Sequence, residues 1–108
     1  MLRDDSATLA QHRSQIDAVD LELMGILSQR FAICAAIARY KRRHGMDMFQ
    51  PQRAALVMDH AVAAGRDMQL DEKFVRALFA LVLAEACRVG EAIISCDRAA
   101  SEPLAGPP

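Results

Sequence analysis

Four charged residues fall on a stripe of the sequence that packing alone would make apolar. In a heptad frame the a and d positions from Leu9 to Lys41 are Leu9, Arg13, Ile16, Asp20, Leu23, Leu27, Arg30, Cys34, Ile37 and Lys41, six apolar and four charged. An unpaired charge is costly to bury, so a seam built only to pack would exclude these four. Three of them are basic, and the chemistry they suit is the grip of an anion. Arg30 and Lys41 are eleven residues apart. That is three helical turns plus about 20°, so both leave the same face about 16 Å apart. Their long side chains, reaching toward each other, can hold one small dianion. Arg13 lies about 26 Å from Arg30 along a straight helix, too far to share that ligand. In an antiparallel dimer it would instead reach the partner's site, giving two composite sites related by a two-fold axis. A plainer reading has Arg30 and Lys41 snorkelling at the edge of a core and Arg13 pairing with a carboxylate. The pattern alone leaves both open.

The elements that must position these residues are helices. No run of alternating β-branched residues occurs, and three stretches carry helical periodicity. From Thr8 to Arg43 the only Gly or Pro is Gly25, and Thr8 offers an N-cap, which predicts one helix of about 35 residues. His44, Gly45, Met46 and Asp47 read as a break. Pro51 suits the first turn of a second helix that stops at Gly65. Asp71 is the expected cap of a third helix, from Glu72 to about Ile94. Its residues Phe74, Val75, Leu78, Phe79, Leu81, Val82 and Leu83 cover more than one side, so burial against two neighbours is expected. The fold class is therefore all-α, with three helices per chain, one of them very long. At about 1.5 Å per residue the first helix is roughly 50 Å long and the others about 20 and 35 Å. Two short helices cannot cover it, and a second copy of the chain can, which predicts an intertwined homodimer. Residues 1–94 form the expected helical domain, and the segment from Ser95 onward, ending Ala-Gly-Pro-Pro, is expected to be a disordered tail.

Composition narrows the functional classes. A chain of 108 residues is one domain with one modest core. A formal net charge of −1 gives no global attraction to nucleic acid or to an anionic membrane. The first residues are polar and acidic, with no apolar stretch of the kind a secretion signal needs, and nowhere do about 18 apolar residues run without a charge. The expectation is a soluble cytoplasmic protein without nucleic-acid or membrane partners. Cys34, Cys87 and Cys96 show neither CxxC nor a His-rich spacing, which predicts no disulfide framework and no metal site. Cys34 and Cys87 read as small core residues.

In the stretch HRSQIDAVDLELMGILSQRFAICAAIARYK the chain resembles the AroQ class of chorismate mutases. Their first helix carries an Arg, a second Arg seventeen residues on and a Lys eleven further, here Arg13, Arg30 and Lys41. The signature Ile16-Asp17-x-x-Asp20 also matches. The Arg of the family's segment after the loop falls on Arg53 in FQPQRAALVM, and Leu70-Asp71 and Phe79 match the start of its last helix. The resemblance runs without gaps from about Leu9 to Ile94. It implies a homodimer with shared sites that binds the dicarboxylate chorismate and rearranges it to prephenate in aromatic amino-acid biosynthesis. Arg30 would hold one carboxylate and Arg13 of the partner subunit the other. Lys41 would donate to the ether oxygen where negative charge grows, and Arg53 would assist at the entry to the second helix. No nucleophile, proton transfer or cofactor is implied, only a held conformer and preorganised electrostatics.

Other positions of the site depart from the family pattern. Its loop Asp is Gln50, the Glu after the loop Arg is Ala54, its last-helix Ser is Ala86, and the Gln or Glu that gives a second hydrogen bond to the ether oxygen falls on Gly90. Glu91 follows, but one residue turns a side chain by about 100°, so it would need a helix distortion to serve. Two other activities share the resemblance. An isochorismate pyruvate lyase, forming salicylate, fits the apolar loop start Met46 to Pro51 and Gln50. A non-catalytic helical dimer that binds a metabolite or regulates a partner enzyme fits Gly90.

Overall fold

In the computed structural model the described residues are 2–101, with side-chain surroundings described for 7–95. They form α1 (Leu2–Arg43), α2 (Pro51–Asp67) and α3 (Glu72–Ser101), with no strand among the described residues. The fold is all-α, and α1, at 42 residues, is about 63 Å long.

The helix ends differ from the sequence expectation in three places. No Gly or Pro lies between Leu2 and Ala7, so α1 begins at Leu2, and Thr8 is an interior residue that caps nothing. α2 does not stop at Gly65 but runs through it to Asp67. α3 continues past Ile94 to Ser101, so part of the segment read as a tail is helical, while residues 102–108 lie outside the described residues.

Both helix–helix turns are closed by the same device. At the end of α1, Gly45 has φ +63°, the Met46 N–H donates to the Lys41 carbonyl at 2.9 Å, and the Gly45 N–H donates to the Arg42 carbonyl at 3.3 Å. These are the paired bonds of a Schellman motif, with glycine at the left-handed position. At the end of α2 the left-handed residue is Gln69, φ +63°. The Leu70 N–H donates to the Gly65 carbonyl at 2.8 Å and the Gln69 N–H to the Arg66 carbonyl at 3.1 Å. The start of α3 agrees with the sequence: the Asp71 carboxylate accepts from the Phe74 N–H at 3.0 Å, the expected N-cap bond.

The chain divides into two compact units, residues 1–33 and 34–108. The first is a stretch of α1 alone, whose apolar side chains Leu9, Ile16, Leu23, Ile26 and Ile33 are exposed. The second holds the end of α1 with α2 and α3. Its buried apolar residues, among those described, are Ala38, Val62, Val75 and Val82, and α2 packs on α3. Gly65 is what allows that approach. A Cβ built there would lie 2.8 Å from Val75 Cγ2, so Gly65 serves packing rather than helix termination. In the single chain α3 buries one side instead of two: Val75 is 3% exposed, whereas Phe74 and Leu81 are 56% and 70% exposed. Cys34 is half-buried but Cys87 is exposed, so the core reading fails for Cys87 in one chain; the Cys96 side chain lies outside those described. By length and composition alone, Ala7–Arg43 of α1 is also long and apolar enough to cross a bilayer, though its longest uncharged run is only Phe31–Ala38.

Candidate functional site

Lys41 lies in the last turn of α1 with Arg42 and Arg43, where cationic side chains complement the helix dipole. The Gly45 turn sends the chain back beneath that helix end, and the loop then grips Lys41 twice. The Met46 N–H bonds the Lys41 carbonyl, and the Lys41 Nζ donates to the Met48 carbonyl at 3.0 Å. Arg42 reaches the other way and donates to the Ile94 carbonyl at 3.0 Å, which ties α1 to α3. A pocket of about 300 Å³ lies between them, lined by Arg42, Gly45, Met46, Met48 and Ile94.

Gly90 is buried and faces Met48. A Cβ at this position would lie 3.5 Å from Met48 Cε and 3.9 Å from Ala38 Cβ, both ordinary contact distances. Ala38 stands one turn before Lys41 on the same face of α1. The Lys41 turn, Met48 and Gly90 therefore form one cluster. Ala86, half-buried, sits one turn before Gly90 on α3, and neither residue offers a side-chain hydrogen bond. Glu91 is exposed and α3 is regular α-helix through this region, so no distortion turns Glu91 into the place of Gly90.

Gln50 occupies the N-cap of α2 without a side-chain cap bond. Its carbonyl accepts from the Arg53 and Ala54 N–H groups at 3.0 and 3.1 Å, and its amide nitrogen donates to the Asp47 carbonyl at 3.4 Å. Arg53 is exposed in the first turn of α2, which holds no acidic residue. A guanidinium there opposes the helix dipole, so an anion in front of it would be favoured by both. Arg13, exposed, and Arg30, half-buried, stand on the residues 1–33 segment of α1. Among the described residues no group of three or more His, Cys, Asp or Glu is placed to hold a metal ion.

The displaced pKa values lie on exposed ion pairs. Glu85 is lowered chiefly by its hydrogen bond from Arg88, which is itself raised by Glu85. Glu72 is lowered first by the hydrogen bond from Arg76 and then by that from Arg66.

Of the residues named from sequence, Lys41 and Gly90 share the cluster, with Ala86 next to it and Gln50 in the connecting loop. Met48 was missed. The one sequence signal for it is Gly90, since a glycine inside a helix leaves room that some other side chain must fill.

The family model for chorismate mutase type II matches residues 12–91, which contain Arg13, Arg30, Lys41 and Arg53. The chain is similar to a protein of Streptomyces venezuelae named 4-amino-4-deoxychorismate mutase, with 37% identity over 94 residues, 87% of this chain and 91% of that protein. It is also similar to a protein of the same name from Streptomyces pristinaespiralis, with 36% identity over 77 residues, 71% of this chain and 60% of that protein. No solved structure matches.

Proposed function

The chain belongs to the chorismate mutase type II family, and from that premise we propose that it catalyses the pericyclic rearrangement of a chorismate-type enolpyruvyl ether, with 4-amino-4-deoxychorismate preferred over chorismate. The observation that carries this reading is the retention of Arg13, Arg30, Lys41 and Arg53 inside the matched region. The choice of the amino substrate rests on the names of the two relatives, both similar to this chain at more than a third identity.

The reaction breaks the ether C–O bond and forms a C–C bond within one molecule, so no atom is gained or lost. Arg30 and, from the second chain, Arg13 hold the two carboxylates and thereby the compact conformer. Lys41 meets the ether oxygen, where charge develops as the bond breaks, and such a preorganised donor is commonly worth about 10² to 10³ in rate. A homodimer with shared sites supplies both arginines. It also covers the apolar side chains of α1, and each Leu or Ile so buried contributes about 1.5 to 3 kcal/mol. A soluble, cytoplasmic location is part of the proposal, because charges recur along α1 at intervals a bilayer interior disfavours.

The test is product analysis by NMR after incubating purified protein with 4-amino-4-deoxychorismate, chorismate and isochorismate separately. Rearranged product from the first, with less from the second and no pyruvate released, is expected. Pyruvate and salicylate from isochorismate would replace the mutase reading with a lyase. No product from any of the three would overturn an enzymatic role.

A further inference from the structure

We propose that Met48 is a positioning residue of the reacting end: its carbonyl directs the Lys41 amine, and its side chain fills the space that the absent side chain at position 90 leaves open. The inference rests on the mutase reading and concerns one side of that site.

Three observations converge on Met48. Its carbonyl accepts from Lys41 Nζ at 3.0 Å, in part-buried surroundings. Its Cε stands 3.5 Å from where a side chain at residue 90 would begin. The loop that carries it is fixed at both ends, by the Gly45 turn at Lys41 and by Pro51 at the start of α2. An ammonium has three donors. One is committed to Met48, which points the other two and removes much of the rotational freedom of a long side chain before any ligand arrives.

The Met48 side chain acts on the other flank. Gly90 and Ala86 offer α3 no donor in this region, and a thioether is flexible enough to fill an irregular gap between Ala38 and Gly90. The flank of the cluster where Met48 meets Gly90 and Ala38 is therefore apolar. When a ligand fills the site against this flank, the attraction between the ammonium and a developing oxygen charge is screened less than it would be in open water. In this arrangement Lys41 acts as the side-chain donor to the breaking bond, and Met48 is the reason a glycine at 90 is tolerated.

The test compares Met48→Ala, Met48→Leu and the double variant Met48→Ala with Gly90→Met, which returns the lost volume from the opposite side. The substrate is the one that the unaltered enzyme turns over. Misplacement of a reacting group by about 1 Å can cost 10²-fold, so Met48→Ala should lower kcat by about 10- to 100-fold. KM should change less than about threefold, because the arginines still hold the carboxylates. Met48→Leu should stay within about threefold of the native kcat, and the double variant should recover at least part of the loss. Melting temperatures measured at matched concentration separate folding from chemistry. Should Met48→Ala not fold, Met48→Val, which loses the reach to position 90, carries the same expectation. A native kcat in a folded Met48→Ala or Met48→Val enzyme overturns the proposal, as does a loss confined to KM, or Met48→Leu as slow as Met48→Ala. An inactive native enzyme would instead remove the mutase reading on which the proposal stands.

Discussion

Replacing Gly65 by alanine should destabilise the protein, and replacing Gly90 by alanine should stabilise it, although both glycines are helical and buried. At residue 65 the new Cβ would meet Val75 Cγ2 at 2.8 Å, with Cγ1 and Cβ at 3.5 and 3.6 Å. Val75 is 3% exposed and β-branched, so it has one strongly preferred rotamer in a helix and no room to swing away. Overpacking of this kind costs about 1 to 3 kcal/mol, and the better helix propensity of alanine returns about 1, for a net loss of about 1 kcal/mol. At residue 90 the nearest atoms are 3.5 and 3.9 Å away. Nothing must move, and the propensity gain of about 1 kcal/mol survives. The two variants should differ by about 2 kcal/mol, on the order of 10 °C in melting temperature for a domain of this size. Thermal and urea unfolding at one fixed chain concentration would measure this, since association makes the melting point concentration-dependent. In a Val75→Ala background the Gly65→Ala penalty should largely vanish, a coupling that a double-mutant cycle reads directly. A Gly65→Ala protein as stable as the native one, with no coupling to Val75, would refute the claim that Gly65 sets the α2–α3 approach.

Other consequences can be checked separately. Asp71→Ala removes the acceptor at the start of α3 and should cost about 1 kcal/mol in urea unfolding. Arg30→Ala should raise KM strongly, whereas Lys41→Ala should act mainly on kcat, because the charge it meets develops late; equal effects on affinity with kcat intact would contradict these roles. Glu72 has a folded pKa below its unfolded value, owing first to Arg76. Its contribution is therefore present above the ordinary carboxylate range and lost as pH falls through the folded pKa. Glu72→Gln should flatten the acid side of the stability curve slightly, and less so in high salt, since the group is exposed.

Much of the fold was legible because the signals were local. Gly45 reads as a helix end and is one, since the left-handed turn there suits a residue without Cβ. Asp71 reads as a cap and makes the cap bond. The long uninterrupted α1 follows from the near absence of Gly and Pro. What failed depended on tertiary context. Gly65 looks in sequence like a helix terminator, yet the left-handed residue is Gln69, and Gly65 is small because Val75 lies against it. Thr8 looks like a cap only if the residues before it are not helical, and they are. Periodicity identified the apolar sides of α3 but not what covers them, so Leu81 and Cys87 stand exposed in the single chain. Met48 carried no sequence signal of its own, because a flexible side chain in a loop acquires its role only when Lys41 and Gly90 are brought beside it.

The central claim is that two chains share each site, with Arg13 from one and Lys41 from the other acting on a single substrate. Mixing unfolded Arg13→Ala and Lys41→Ala chains, refolding them together and assaying the rearrangement tests it directly. Random pairing makes about half of the dimers mixed, and each mixed dimer has one site carrying both changes and one carrying neither. The mixture should therefore regain about a quarter of the native rate per chain while each parent alone stays nearly inactive. A mixture no more active than its parents would contradict the shared site.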